Sequence, residues 1–158
     1  MVAVDSSIII HLARIGKLSL LRIYFKKIKI TQSIEKEIIK DGKAGIGEIK
    51  KGIEEWIDIK KIDVAVEKSD VLSFADIELI KLAERERDFI LTNDENIISF
   101  AKAKGIETMW LTTFLISCLK KKLIDKKEAK QILHDLVKYG CYIRTDTYMA
   151  VQNLIEEI

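Results

Sequence analysis

The sequence has no proline, only two cysteines and two histidines, and almost no excess of charge of either sign. Cys118 and Cys141 are too few and too far apart for a zinc site or a disulfide framework, so we expect small apolar residues in a reducing compartment. The 27 basic and 25 acidic residues leave a formal net charge of +2, which excludes a global attraction to nucleic acid. Without proline, and rich in Ile, Lys and Glu, the composition is typical of a thermophile or of an AT-rich genome.

The chain also lacks any run of about 18 or more apolar residues, so no membrane-spanning helix is predicted. Its first residues have no basic region and no cleavage site, and Asp5 interrupts the opening apolar run, so no signal peptide is predicted. We therefore expect a soluble, cytoplasmic protein with no membrane partner. Apolar residues make up 48% of the chain and charged residues 33%, as in globular proteins, and 158 residues suit one domain.

Short apolar segments alternate with helical segments over residues 1–111. The predicted strands are residues 2–4, 27–30, 56–59, 89–92 and 108–111. This alternation predicts an α/β fold, a three-layer α/β/α arrangement around a central parallel sheet of four or five strands. Everything from residue 112 onwards predicts helix. We interpret residues 1–158 as a single domain, with a core of residues 1–111 that carries an acidic site and a helical C-terminal extension of residues 112–158.

Acidic residues follow two of the predicted strands. Asp5 comes directly after residues 2–4, and Asp94 follows residues 89–92 after one Asn. Ligands of parallel sheets bind outside the carboxyl ends of the strands, so both carboxylates are candidate ligands of a cation. Each is equally placed to cap the helix that follows, and for either residue alone capping is the favoured interpretation.

Asp76 lies near the start of a predicted helix, on the same face as the apolar residues three, four and seven positions further on. A helical wheel puts Glu78 on the opposite face, where its side chain is expected to be exposed to solvent. An inward carboxylate needs a cation or hydrogen bonds, so Asp76 is a candidate site residue. The alternative is a first-turn acid that favours the helix dipole. For Glu35 and Glu37 on the earlier helix the wheel does not decide, and both could be solvated charges.

Four segments resemble, in order, the four motifs of PIN domains. They are Asp5-Ser6-Ser7 with an apolar helix after it, Ile34 with Glu37, Ser73-Phe74-Ala75-Asp76 leading to Ile80 and Leu82-Ala83, and Leu91-Thr92-Asn93-Asp94 with Ala101. The tail from Thr112 resembles the helical ends of a subgroup of small prokaryotic PIN proteins. There are two departures. Gln32 stands where the second motif usually has Pro, and Ala75-Asp76 stands where the closest subgroup often has Gly-Glu.

The resemblance implies that four carboxylates converge on one or two Mg²⁺ or Mn²⁺ ions as metal ligands and catalytic residues. They belong to Asp5, Glu37, Asp76 and Asp94. The resemblance thus selects Glu37 over Glu35. It also makes Ser7 and Thr92 hydrogen-bond partners around the site. It implies a metal-dependent endoribonuclease that hydrolyses RNA phosphodiester bonds, with the VapC-type toxin of a toxin–antitoxin pair as one form. By themselves the residue types predict only a metal-dependent phosphoryl site.

Two other functions stay open at this point. One is a non-catalytic PIN-like module that binds RNA or protein, and the other is a flap-type DNA nuclease, whose helical arch and further acids are not visible in the chain. The expected partners are RNA, an antitoxin protein and a second copy of the chain. The homodimer is predicted because residues 18–23 and 114–119 are more hydrophobic than a small monomer needs. We expect Trp56, Trp110 and Phe114 to be core or interface anchors rather than base-stacking residues.

Overall fold

A computed structural model of the protein describes residues 1–41, 44–64 and 69–158. Its strands are β1 (Val2–Val4), β2 (Ile28–Thr31), β3 (Ile57–Lys60), β4 (Phe89–Leu91) and β5 (Thr108–Met109). Its helices are α1 (Ser6–Arg14), α2 (Ser19–Phe25), α3 (Gln32–Asp41), α4 (Ile46–Glu55), α5 (Phe74–Glu86), α6 (Glu95–Ala103), α7 (Leu111–Lys120), α8 (Lys126–Lys138) and α9 (Thr145–Glu157). None of these helices is long and apolar enough to cross a membrane. The sequence predicts a helix break at residues 41–42 and a turn at residues 67–72. Of these, Gly42 and residues 67–68 lie outside the described residues.

The five strands form one parallel sheet in the order β3-β2-β1-β4-β5. β1 is central, and its three residues lie opposite Phe89, Ile90 and Leu91 of β4. All three are fully buried, which is expected when helices cover both faces of a parallel sheet. The predicted α/β fold with a three-layer arrangement is therefore confirmed.

The C-terminal helices pack on the same apolar core as the sheet. The Phe114 ring of α7 stacks on Phe25 with 5.7 Å between the ring centroids, and it meets Tyr24 edge-on at 5.3 Å. The buried residues of the core cluster run from Val2 to Ile155. This packing agrees with a tail that belongs to the same domain, although the proposed division at residue 111 stays a prediction.

The apolar residues behind the homodimer prediction are largely buried within the chain itself. Leu18, Leu20 and Leu21 pack in the core, as do the apolar residues of α7, whereas Ile23 is exposed. Their hydrophobicity is thus accounted for by the fold, and it no longer argues for a second copy.

The strand β2 differs from its prediction. The alternation of polar and apolar residues over 27–30 predicts a half-buried strand, but all four residues of β2 are buried. Lys29 is tolerated there because its Nζ lies 2.7 Å from Oδ2 of Asp88, just before β4, and the two side chains are only 10% and 4% exposed. Lys29 lies opposite Ala3 of β1, so the ion pair joins the two strands that flank the central one.

Candidate active site at the carboxyl edge of the sheet

Asp5 leaves the carboxyl end of β1 and caps α1. Its Oδ1 accepts a hydrogen bond from the Ser6 backbone N–H at 2.8 Å, and its Oδ2 accepts one from the Thr92 hydroxyl at 2.8 Å. The Ser7 hydroxyl lies 3.4 Å from the same Oδ2. The residue is only 8% exposed. Asp5 is therefore a buried carboxylate with a fixed orientation. It caps α1, and its two oxygens can still accept further bonds.

Thr92 connects the two strand ends that carry acid. Its Oγ1 donates to Asp5 and accepts from the backbone N–H of Asp94 at 3.0 Å. Asp94 in turn caps α6 through Oδ1, which accepts from Asn96 N–H at 2.8 Å and Ile97 N–H at 3.2 Å. Because the Thr92 hydroxyl both donates and accepts a hydrogen bond, it fixes the end of β1 relative to the end of β4.

The pKa of Asp5 is affected by two of the other predicted carboxylates. The pKa of Asp5 is raised from 3.8 to about 6, mainly by burial and also by the negative charges of Asp76 and Asp94, against the lowering effect of the Thr92 and Ser6 hydrogen bonds. A carboxyl group that is desolvated and faces two like charges is stabilised by a nearby cation. The carboxyl edge of β1 and β4 is thus an acidic site that favours a bound cation.

Asp76 lies in the first turn of α5 rather than on its packed side. It forms a capping box with Ser73, in which the Ser73 N–H donates to Asp76 Oδ2 at 3.0 Å and the Asp76 N–H donates to Ser73 Oγ at 3.2 Å. The carboxylate is half-buried. The helix-start alternative therefore describes its local structure, while its effect on the pKa of Asp5 places its charge at the acidic site.

The sequence assigned Glu78 to solvent, and that assignment is wrong. Glu78 is 3% exposed, and its carboxylate accepts from the Ser33 hydroxyl at 2.6 Å and the Ser33 N–H at 3.4 Å. The wheel failed because α5 is buried on most of its circumference, so no solvent face is available at position 78. The residue fixes α5 to the first turn of α3, where an anion is also favoured by the helix dipole.

Glu37 lies further along α3 and is exposed, whereas Glu35 is half-buried. The charges that act on Asp5 are those of Asp76 and Asp94. Asp76 and Asp94 are therefore near enough to act on the charge of Asp5, whereas Glu37 lies exposed on the neighbouring helix. The assignment of the four acids to one shared metal site stays a prediction.

Asn93 joins the C-terminal helices to this edge. Its Oδ1 accepts from the Leu111 N–H at the start of α7 at 3.0 Å, and its Nδ2 lies 3.9 Å from Sγ of the buried Cys141. No pattern in the sequence indicates this role. The three aromatic residues predicted as core or interface anchors differ in burial. Trp56 and Phe114 are buried as core residues, but Trp110, next to Leu111, is 39% exposed.

The acidic residues at this edge of the sheet fit a divalent ion that keeps several water ligands. Within the described residues, no three His, Cys, Asp or Glu side chains are close enough to hold a metal ion together. Mg²⁺ usually keeps several waters and takes only one or two carboxylates, together with phosphate oxygens of a substrate. A buried carboxylate with two acidic neighbours meets that requirement without a preformed cage.

Comparison with known proteins identifies the family. No curated protein matched the chain. A solved PilT N-terminus domain protein from the hyperthermophilic archaeon Sulfolobus solfataricus P2 superposes with a TM-score of 0.56 at 20% identity, over 75% of this chain and 94% of that one. A domain of a functionally unknown protein from Methanocaldococcus jannaschii DSM 2661 gives a TM-score of 0.48 at 25% identity, over 70% and 89%. A family model described as DUF3368, PIN domain, matches residues 1–157, and the chain therefore belongs to the PIN domain family.

Proposed function

We propose that the protein is a metal-dependent endoribonuclease that hydrolyses RNA phosphodiester bonds. PIN domains are generally nucleases and usually use divalent metals. The observation that carries the proposal is the buried Asp5 carboxylate, whose pKa is raised by burial and by the charges of Asp76 and Asp94. Asp5 would hold Mg²⁺ or Mn²⁺ directly, and Asp76, Asp94 and Glu37 would act on the ion directly or through its water ligands.

The chain itself orients the acids and accommodates the phosphate. Backbone N–H groups of α1 and α6 hold Oδ1 of Asp5 and of Asp94, and the Thr92 hydroxyl holds Oδ2 of Asp5. The helices α1, α5 and α6 all begin at the acids of this site, and helix N-termini favour anionic groups. The ion, when bound, supplies activation of water near neutral pH and neutralisation of charge on the phosphate.

A second candidate is a non-catalytic module that binds RNA or protein. It is favoured by the capping roles of Asp76 and Asp94 and by the wide spacing of the acids among the described residues. A flap-type DNA nuclease would use the same chemistry, so RNA and DNA of one sequence belong in the same assay. RNA as the substrate rests on the family resemblance.

Asp94→Asn is expected to lower Mn²⁺-dependent cleavage of a labelled RNA by about a hundredfold or more, because it removes a charge that would hold the ion. Glu95→Gln is the matched control, since Glu95 is the exposed neighbouring acid and should keep most of the activity. The wild type with EDTA gives the background, and calorimetry with Mn²⁺ measures binding. No cleavage of RNA or DNA and no Mn²⁺ binding by the wild type would make the binding module the better proposal.

The same assay decides between the two acids of α3. Glu37→Gln is expected to lower cleavage, while Glu35→Gln should keep most of it because the family resemblance selects Glu37 and not Glu35 as the ligand. The reverse pattern would show that the second motif was carried over to the wrong residue.

We also propose a two-fold homodimer and an antitoxin partner whose peptide covers the acidic groove. The support for the dimer is the pair of large apolar side chains that stay exposed at the start of α5, Val71 and Phe74. Light scattering at high micromolar concentration should give twice the chain mass of 18.1 kDa. A mass of one chain at that concentration contradicts the dimer.

An antitoxin-like reading frame beside the gene would support the proposed antitoxin partner.

A further inference from the structure

Two exposed aromatic residues, Trp110 and Tyr142, each lie one position in the sequence from a residue that contacts Asn93, the neighbour of Asp94. We propose that they form a stacking platform that receives unpaired bases of the RNA, an inference that rests on the proposed function. The platform is the part of the substrate site that selects single-stranded RNA, and neither aromatic residue is a candidate metal ligand.

The sheet register places Trp110 level with the site. Leu91 of β4 lies opposite Met109 of β5, and the Thr92 N–H donates to the Met109 carbonyl at 3.0 Å. Trp110 is the next residue, so it lies at the same level as Thr92, whose hydroxyl contacts Asp5. Its indole is not absorbed by the core, since the residue is 39% exposed.

Tyr142 lies in the segment between α8 and α9, which meets the same edge through Cys141. Its neighbour Cys141 is buried, and the Cys141 Sγ lies 3.9 Å from Nδ2 of Asn93. Tyr142 itself is 84% exposed, so packing within the chain does not explain an aromatic residue at this position.

Asn93 is the common anchor of the platform. It lies between Thr92 and Asp94, and its side chain contacts Leu111 and Cys141, each one residue away from an exposed aromatic ring. Both aromatic residues are therefore adjacent in sequence to groups that Asn93 contacts at the strand end that carries Asp94. A base stacked on them would have its phosphate near the acidic edge.

The charge of the surrounding segment also fits nucleic acid. Residues 138–144 contain Lys138 and Arg144 and no acidic residue. Arg144 pairs with Asp146 at 3.0 Å, but both side chains are about two-thirds exposed, and such pairs are weak. Proteins that bind single strands combine basic residues with aromatic rings, because every base offers a face for stacking. A protein partner would use the same aromatic residues without needing unpaired bases.

The test measures RNA binding without catalysis. A short fluorescein-labelled oligoadenylate is titrated with protein in EDTA, and its anisotropy gives the dissociation constant. Trp110→Ala and Tyr142→Ala should each weaken binding about tenfold, whereas Trp110→Phe and Tyr142→Phe should stay within about twofold because a ring is kept. Phe100→Ala is the control, since Phe100 is equally exposed but lies beyond the first turn of α6.

The outcomes separate this inference from the proposed function. Equal affinity of the alanine variants and the wild type, no binding by the wild type, or equal binding of a duplex of the same sequence would each overturn the platform, whatever the cleavage assay shows. Loss of binding only in the alanine variants supports it, even if Asp94→Asn were to leave cleavage unchanged. Circular dichroism checks the fold of Trp110→Ala, and the exposure of Tyr142 makes its alanine variant a safe second measurement.

Discussion

Asp5→Asn is expected to abolish metal-dependent RNA cleavage and to stabilise the metal-free protein at about pH 8. Both effects follow from the same carboxylate, which is buried and faces the charges of Asp76 and Asp94. The amide has no charge to hold an ion, so cleavage is lost. It also removes a desolvated negative charge, while its oxygen can still accept the Ser6 N–H that caps α1.

The sign of the pH dependence follows from the raised pKa of Asp5, about 6 in the folded protein against an ordinary 3.8. Between these pH values the folded state holds the proton more tightly than the unfolded state, so the stability contributed by this group falls as pH rises through about 6. Above that pH the raised pKa of Asp5 destabilises the wild type by about 3 kcal/mol. The wild type and Asp5→Asn should therefore match in thermal unfolding at low pH and diverge towards pH 8.

The control is again Glu95→Gln, which should change neither cleavage nor the pH dependence of unfolding because Glu95 is exposed. Added Mn²⁺ should raise the melting temperature of the wild type and leave that of Asp5→Asn almost unchanged, since only the folded wild type binds the ion. A variant that is less stable than the wild type at about pH 8 without metal would show that the Asp5 charge stabilises the fold.

Asp88→Asn is expected to lower the free energy of unfolding by about 3–5 kcal/mol. The substitution leaves the Lys29 ammonium buried without its ionic partner, which lay 2.7 Å away. The Met1 amino group also lies 3.6 Å from Oδ1 of Asp88, so two cations lose the same carboxylate. Urea unfolding followed by circular dichroism measures the loss. Cleavage per folded molecule should persist, because Asp88 precedes β4 and the acidic site follows it.

The comparison needs an exposed pair and a double variant. Glu84→Gln breaks the exposed pair with Lys104 and should change the stability by less than about 1 kcal/mol. Lys29→Met combined with Asp88→Leu removes both charges and should recover much of the loss, since a hydrophobic replacement of a buried pair is often tolerated. If Asp88→Asn cost no more than Glu84→Gln, the buried pair would contribute nothing to the fold.

The fold could be predicted because burial on both faces of a parallel sheet produces short apolar segments that alternate with helices. Asp5 and Asp94 could be found because strand ends are visible in the sequence. Glu78 and Lys29 could not, since a charge that is buried with a partner distant in the sequence has no local signal. The wheel of α5 misassigned Glu78 because helix and sheet cover it on most sides, so the assumed division into two faces does not exist.

Trp110 shows a different limit. The sequence predicts Trp56, Trp110 and Phe114 as core or interface anchors, and Trp56 and Phe114 are buried. Trp110 instead follows β5 at the sheet edge, as the residue before the first turn of α7. Exposure there depends on the length of β5, and strand ends are the least predictable feature of a sequence.

The order of the strands also sets when the site can exist during synthesis. The hydrogen bond between Thr92 and Asp5 spans 87 residues of sequence, because the central strand β1 takes its second neighbour only from β4. Contacts of such separation form late and slowly. A nascent chain that has reached β3 can pair β1 with β2 but leaves the other edge of β1 open. The acidic cluster therefore has no precursor in the growing chain, and it appears only after Asp94 has been made and β4 has docked.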